Sequence, residues 1–245
     1  GVLAADGGGP DDAGSPMQAD ASAAPDAAAL DGSVADPCLD STSLSFCNGF
    51  EDSTGWSTPT TINGTLQRTT TEARSGSSAL HARSGPPSSG KVLRQQTQAY
   101  AQQTTGDVWA RAWYLLPSST TIDAASALVV LRIAEAASPY FGCGVAIRSD
   151  LVELADVTTR YRALSPFPRD RWTCVELHIQ IKGDLGICET YVDMMLAAQS
   201  AQTNTLPASG YTTLAVGLEL SNATQTEVDL YIDDVAASTA RIYCD

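Results

Sequence analysis

The chain changes character at Cys38, and that break limits what either part can fold into. Residues 1–37 are almost wholly Ala, Asp, Gly, Pro and Ser, with no Lys, Arg, Glu, aromatic residue or Cys. Ordering a backbone costs about 1–2 kcal/mol per residue, and a segment this poor in apolar side chains has too little surface to bury in return. It reads as an extended, low-complexity acidic arm. Residues 38–245 carry all six cysteines, all four tryptophans and all 14 basic residues, and are long enough for one domain with a sizeable core.

The net charge is −14, and the first 40 residues hold eight Asp with no basic partner. A chain so acidic repels nucleic acid and anionic lipid surfaces. No run of 18 apolar residues exists, so no membrane span is expected. The start, Gly1-Val2-Leu3-Ala4-Ala5, has neither a basic leader nor a long apolar stretch. It reads as a mature protein after signal-peptide removal, extracellular or on a cell surface.

Cys38, Cys47, Cys143, Cys174, Cys188 and Cys244 are an even set without a C-x-x-C pair. That pattern fits disulfides in an oxidising compartment better than zinc or thioredoxin chemistry. Fifteen pairings are open to six cysteines. Because the two ends of a domain commonly lie close together, Cys244 is expected to bridge to Cys38 or Cys47.

The apolar pattern has period two. Val175, Leu177, Ile179 and Ile181 alternate with Cys174, Glu176, His178 and Gln180; a turn at Lys182-Gly183-Asp184 then returns the chain through Cys188 to Val192. Val108 to Leu116, Leu128 to Ile133, Phe141 to Ile147, Leu214 to Leu220 and Val228 to Val235 read as further strands. Ala124 to Ala127 and Leu196 to Ala201 read as single helical turns at most. The expected fold is all-β, an antiparallel two-sheet jelly-roll sandwich with an extended N-terminal arm.

Several phrases carry a family likeness: Phe46-Cys-Asn-Gly-Phe-Glu-Asp52 with Trp56, Arg74-Ser-Gly-Ser-Ser-Ala-Leu80, Val108 to Pro117, Arg171-Trp-Thr-Cys-Val-Glu176 with Tyr191-Val-Asp193, and Tyr231-Ile-Asp-Asp-Val235. In this order they resemble concanavalin A-like jelly rolls of the laminin-G-like type over residues 44–244. Met194 stands where that family usually has Gly. The acidic arm resembles the spacer of bacterial surface lipoproteins, without their lipid-bearing cysteine.

The resemblance brings two enzyme classes into question. Glycoside hydrolases of this fold carry E-x-D-x-x-E, whose alternate acids share one strand face. Here Glu227-Val-Asp229 ends at Ile232 instead of an acid. The related polysaccharide lyases use Arg, Gln, His and Tyr to neutralise a uronate and move its proton. Their Y-F-K-x-G strand is echoed by Tyr140-Phe-Gly-Cys-Gly144 with Gly142 replacing Lys, and their Q-[IV]-H strand by Glu176-Leu-His178. Neither set is complete, so the expectation is no catalysis and no catalytic residue.

Trp109, Arg111 and Trp113 share one strand face, as do Glu176, His178 and Gln180. Aromatic rings beside these polar groups suit a stacked sugar, whereas the plainer reading buries Trp109 and Trp113 with Arg111 lying across a ring edge. Glu51, Asp233 and Asp234 come from the first and last strands and can supply oxygen ligands to a structural Ca2+; the plainer reading makes the aspartates turn caps or solvated groups. The function expected from this set is a non-catalytic surface subunit that assembles with copies of itself. Its arm would add to a neighbour's sheet edge, with Val2, Leu3, Met17 and Leu30 as anchors. The alternatives are a stalked carbohydrate-binding module and, third, a polysaccharide lyase or glycoside hydrolase.

Overall fold

The structure, a computed structural model, describes Cys38 and residues 44–88, 90–135, 141–156, 159–220 and 222–244, with the side chains of 162, 164 and 165 left aside. The arm residues Val2, Leu3, Met17 and Leu30, and also Tyr140, lie outside the described residues.

The described residues form fifteen strands and no helix: β1 (Phe46–Asn48), β2 (Thr60–Ile62), β3 (Gly64–Thr69), β4 (Ala79–Ser84), β5 (Lys91–Gln103), β6 (Gly106–Leu115), β7 (Leu128–Glu135), β8 (Gly142–Arg148), β9 (Leu151–Ala155), β10 (Arg160–Pro166), β11 (Trp172–Ile181), β12 (Ile187–Val192), β13 (Met195–Gln199), β14 (Tyr211–Leu220) and β15 (Asp229–Ser238). Sheet A runs β13-β12-β11-β6-β15-β4-β3, with β1 also paired to β15; sheet B runs β10-β9-β8-β7-β14-β5-β2. Every pairing is antiparallel. The two-sheet jelly-roll sandwich read from the alternation is the fold observed.

Alternation decides which residues reach the core. Val175, Leu177 and Ile179 of sheet A are fully buried in the same apolar cluster as Leu131, Ile133, Val145, Ile147, Leu154, Leu214 and Leu218 of sheet B. Each such side chain contributes about 1.5–3 kcal/mol on leaving water. Tyr114 of β6 spans the core and donates to the Val130 carbonyl of β7 at 2.9 Å, so its hydroxyl is buried but not orphaned. The expected hairpin across residues 182–184 is present, with Val175 opposite Val192 and Ile179 opposite Cys188.

Two expectations are corrected. Leu196 to Ala201 is largely strand: β13 forms the edge of sheet A, because the turn at Asp193 and Met194, both at positive φ, sends the chain straight back along β12. The cysteines pair Cys38–Cys47, Cys143–Cys188 and Cys174–Cys244. Cys244 therefore bridges to β11 in the middle of sheet A and not to the N-terminal edge, because the last residues fold back across that sheet. Cys143–Cys188 joins β8 to β12 and so ties sheet B to sheet A through the core. Three disulfides fit an oxidising, extracellular setting. Among the described residues no helix is long and apolar enough to cross a membrane.

Candidate functional site

The outer face of sheet A holds the residues read as a glycan site. Register places Glu176 opposite Arg111, His178 opposite Trp109 and Cys174 opposite Trp113, with Gln180 opposite Asp107, so the set does converge. The face is nevertheless taken by the chain's own C-terminal segment. Arg241 donates to both oxygens of Glu176 at 3.1 and 2.9 Å, and Arg111 donates to the Tyr243 carbonyl at 2.7 Å. Ile242 packs with Trp109 in a small second apolar cluster, and Cys244 is bonded to Cys174. His178 stacks on Trp109 with ring centroids 4.0 Å apart, and its two nitrogens meet Asp107 and Glu189 at 2.8 and 2.9 Å. The Arg74 guanidinium lies 3.7 Å over the Trp113 ring. Trp109, Arg111, Glu176 and His178 are buried, with Glu176 at 0% exposure. The stacking surface and polar groups offered to a sugar are spent internally.

The carboxylates expected at a cation site do come from neighbouring strands, since β1 pairs with β15. They bind the loop before β4. Glu51 accepts from Ser77 (backbone 2.7 Å, hydroxyl 2.7 Å) and from the Ser78 backbone at 2.9 Å. Asp233 accepts from the backbone N–H groups of Arg74 and Asp234, each at 2.8 Å. Asp234, at positive φ on a bulge of β15, takes the Arg74 guanidinium at 2.5 Å and the Ser75 hydroxyl at 2.6 Å. Among the described residues no group of three or more His, Cys, Asp or Glu converges on a point. Arg74 supplies the positive charge here, so the arrangement does not fit the expected Ca2+ site.

Burial, with the Asp234 charge beside it, pushes the Asp233 carboxyl up to about 7 from 3.8. Between those values the unfolded chain gives up the proton and the native chain keeps it, so stability falls as pH rises from about 4 to 7. Asp233→Asn keeps an acceptor without the charge. Its stability relative to the parent is expected to rise across that window, by on the order of a few kcal/mol at pH 7. Urea unfolding of both proteins at the two ends of the window measures it; a constant difference between them would refute the assignment.

Sheet B presents a different surface. Outward positions on β5 are Val92, Arg94, Gln96 and Gln98, standing opposite Glu219, Gly217, Ala215 and Thr213 of β14. Ala215 in turn faces Arg132 of β7, Arg132 faces Gly144 of β8, and Ala146 of β8 faces Glu153 of β9. The middle strands thus form a floor of Gly and Ala with long side chains on either side. At Gly217, φ is +142° and an added Cβ would lie 1.9 Å from the Leu93 carbonyl oxygen, so only Gly lets β14 come so close to β5 beside Arg94.

Two ion-paired groups stand on this floor. Arg94 meets Glu219 at 2.8 Å, and Arg132 lies 4.0 Å from the other oxygen of Glu219. These three side chains are each 17–19% exposed, half-sunk but reachable from solvent. Across the floor, buried Glu153 meets Arg148 at 3.1 Å and Arg160 at 2.8 Å. Four arginines outnumber the three glutamates of this face, Glu219, Glu153 and, at its β5 end, Glu135, which leaves it one charge positive on a chain of charge −14. From Gln96 to Arg160 the row crosses six strands, or about 24 Å at roughly 4.8 Å per strand.

The sequence reading missed this face. The Arg94-Gln-Gln-Thr-Gln98 run of β5, polar at all five positions, was its one local signal. Phe141-Gly-Cys-Gly144, the echo of Y-F-K-x-G, does lie in this sheet, with Gly142 and Gly144 on the floor. Glu176-Leu-His178 lies in the other sheet, so the two lyase-like echoes do not meet. Both histidines of the chain, His81 and His178, are in sheet A.

No family model matches the chain, and no curated protein does. Among solved structures it is similar to an endo-β-1,4-glucuronan lyase from the fungus Trichoderma reesei, with TM-score 0.66 and 15% identity over 80% of this chain and 96% of that one. It is also similar to the cellulose-induced protein Cip1 (TM-score 0.60, 20% identity, 82% of this chain and 100% of that one). A botulinum neurotoxin serotype G binding domain shares the sandwich with TM-score 0.51, 12% identity, and 81% and 48% coverage. The expectation of a non-catalytic, self-assembling subunit is corrected by this likeness: the same fold, matched over 80% of this chain, is that of a polysaccharide lyase and not of a known structural subunit. At these identities what the chain shares with all three is the fold, an all-β jelly-roll sandwich of two antiparallel sheets.

Proposed function

We propose that the protein is an extracellular polysaccharide lyase whose substrate lies across the outer face of sheet B and carries uronate units. The observation behind this is the gathering of Arg94, Arg132, Arg148 and Arg160 on one face of a strongly acidic chain. Screening cuts off charge effects beyond about 8 Å at physiological salt, so a polyanion at this face responds to the arginines beneath it more than to the net charge of the whole chain. Guanidinium forks match a carboxylate's two oxygens.

The chemistry is β-elimination. A uronate carboxylate bound by Arg94 and Arg132 is neutralised, which acidifies the C5 proton. Binding also draws both arginines away from Glu219 and leaves its carboxylate oxygens open to the sugar. Glu219 takes the C5 proton, a C4–C5 double bond forms, the C4–O bond breaks, and the same carboxyl group returns the proton to the departing oxygen. With no histidine in this sheet, and with its tyrosines Tyr100, Tyr161 and Tyr211 packed in or against the core, the proton acceptor differs from the His and Tyr that the resemblance implies. The likeness in fold to the glucuronan lyase supports this class of reaction.

The test is incubation of the full chain with glucuronan and alginate while ultraviolet absorbance follows unsaturated chain ends. A steady rise that Arg94→Ala reduces at least about tenfold, the size of one lost charge-assisted contact, is expected. Absence of both product and binding on every uronate polymer would overturn the proposal.

A further inference from the structure

At the β5 end of the same face the groove changes chemistry. A cleft of about 530 Å3 opens between the loop before β2 and the outward side chains of β5, β7 and β14, a size suited to a small ligand or one sugar unit. Its walls are Trp56, Ser57, Gln96, Gln98, Thr213 and Glu135, with Arg94 at the boundary and already held by Glu219. Trp56 is fixed by Phe46 (centroids 4.9 Å, edge-on) and Phe50 (5.4 Å, stacked), and its indole N–H is buried with no hydrogen-bond partner among the described residues. Beyond Arg94 the cleft has amides, hydroxyls and an aromatic ring, and its one further charge is the carboxylate of Glu135. That carboxylate is held by the Ala208 N–H and the Ser209 hydroxyl at 2.6 and 2.8 Å and is 3% exposed.

We infer that this cleft is a subsite for an uncharged sugar unit next to the uronate held by Arg94 and Arg132, so that a mixed chain of uronate and neutral sugars is preferred over a homopolymer of uronate. The inference rests on the uronate-groove reading above. Amides and hydroxyls pair with sugar hydroxyls, which both donate and accept, while a second uronate here would face Glu135 without a free cation.

The experiment is isothermal titration of the full chain with two probes of equal length, an alternating glucuronate–glucose tetrasaccharide and a glucuronate tetrasaccharide. The alternating probe is expected to bind at least tenfold tighter. Gln98→Lys, which places a cation in the cleft at an exposed strand position, is expected to narrow or reverse that preference. Equal or tighter binding of the homouronate by the parent chain overturns the inference while leaving the groove reading in place. Binding of neither probe removes the groove reading, and this inference with it. Trp56→Ala should weaken the alternating probe at least tenfold; because that ring also packs on Phe46 and Phe50, Gln98→Lys carries the decision if Trp56→Ala does not fold.

Discussion

Replacing Glu219 with Gln is expected to slow product formation by about 10²–10⁴-fold, the range over which a positioned general base contributes, while uronate affinity holds or rises. The two effects separate because Glu219 has two roles in the free protein. It neutralises Arg94 at 2.8 Å and stands 4.0 Å from Arg132, so a uronate must displace it before either guanidinium is fully available. An amide holds arginine more weakly than a carboxylate does, which leaves the binding step easier and the proton-transfer step without an acceptor. Single-turnover rates with saturating polysaccharide, beside titrations of the same variant, read the two separately. An unchanged rate would remove Glu219 from the chemistry, and a parallel loss of rate and affinity would make it a structural partner of Arg94.

The double variant Cys143→Ala with Cys188→Ala is expected to lose about 4 kcal/mol, from the entropy of closing a loop of 45 residues. Against a typical stability of about 5–15 kcal/mol that is a large fraction. It is the covalent tie between the sheets, since Cys143 lies on β8 and Cys188 on β12, and both sulfurs are buried in the main core. Cys143 also sits between Gly142 and Gly144 on the groove floor, opposite Ile133 of β7. Loss of the bridge should therefore lower uronate affinity at temperatures where the protein is still folded. Denaturant midpoints and titrations on one preparation check both effects. A midpoint within error of the parent would show that packing alone holds the sheets together.

How much of this was legible beforehand depends on range along the chain. Val175, Leu177 and Ile179 announce a half-buried strand because the period-two pattern is local, and their hairpin partner follows after a short turn. The sandwich class follows from many such strands. The missed strand β5, the longest of the fifteen, carries Gln and Thr at positions whose core-side partners are Leu93, Ala99 and Tyr100. Its inner-face polar groups Gln95 and Thr97 are satisfied by the carbonyls of Ser57 and Gly55. A strand whose buried polar side chains bond to a loop some 40 residues away leaves little apolar alternation to read.

The two faces of the sandwich mark the boundary between sequence and tertiary structure. Local alternation and register-free reasoning placed Trp109, Arg111, Glu176 and His178 together on the outside of sheet A, and they are together. That this outside is closed was decided by residues 241–244 folding back onto it, held by Cys174–Cys244 and the Arg241–Glu176 pair, contacts 65–70 residues apart in the chain. The positive groove on sheet B has the same origin. Arg94, Arg132, Arg148, Arg160 and Glu219 are scattered singly through the sequence, each unremarkable where it stands. Only strand order β10-β9-β8-β7-β14-β5 brings them to one surface, because cross-strand neighbours are chosen by hydrogen-bonded register and sheet topology, which no local pattern of residues encodes.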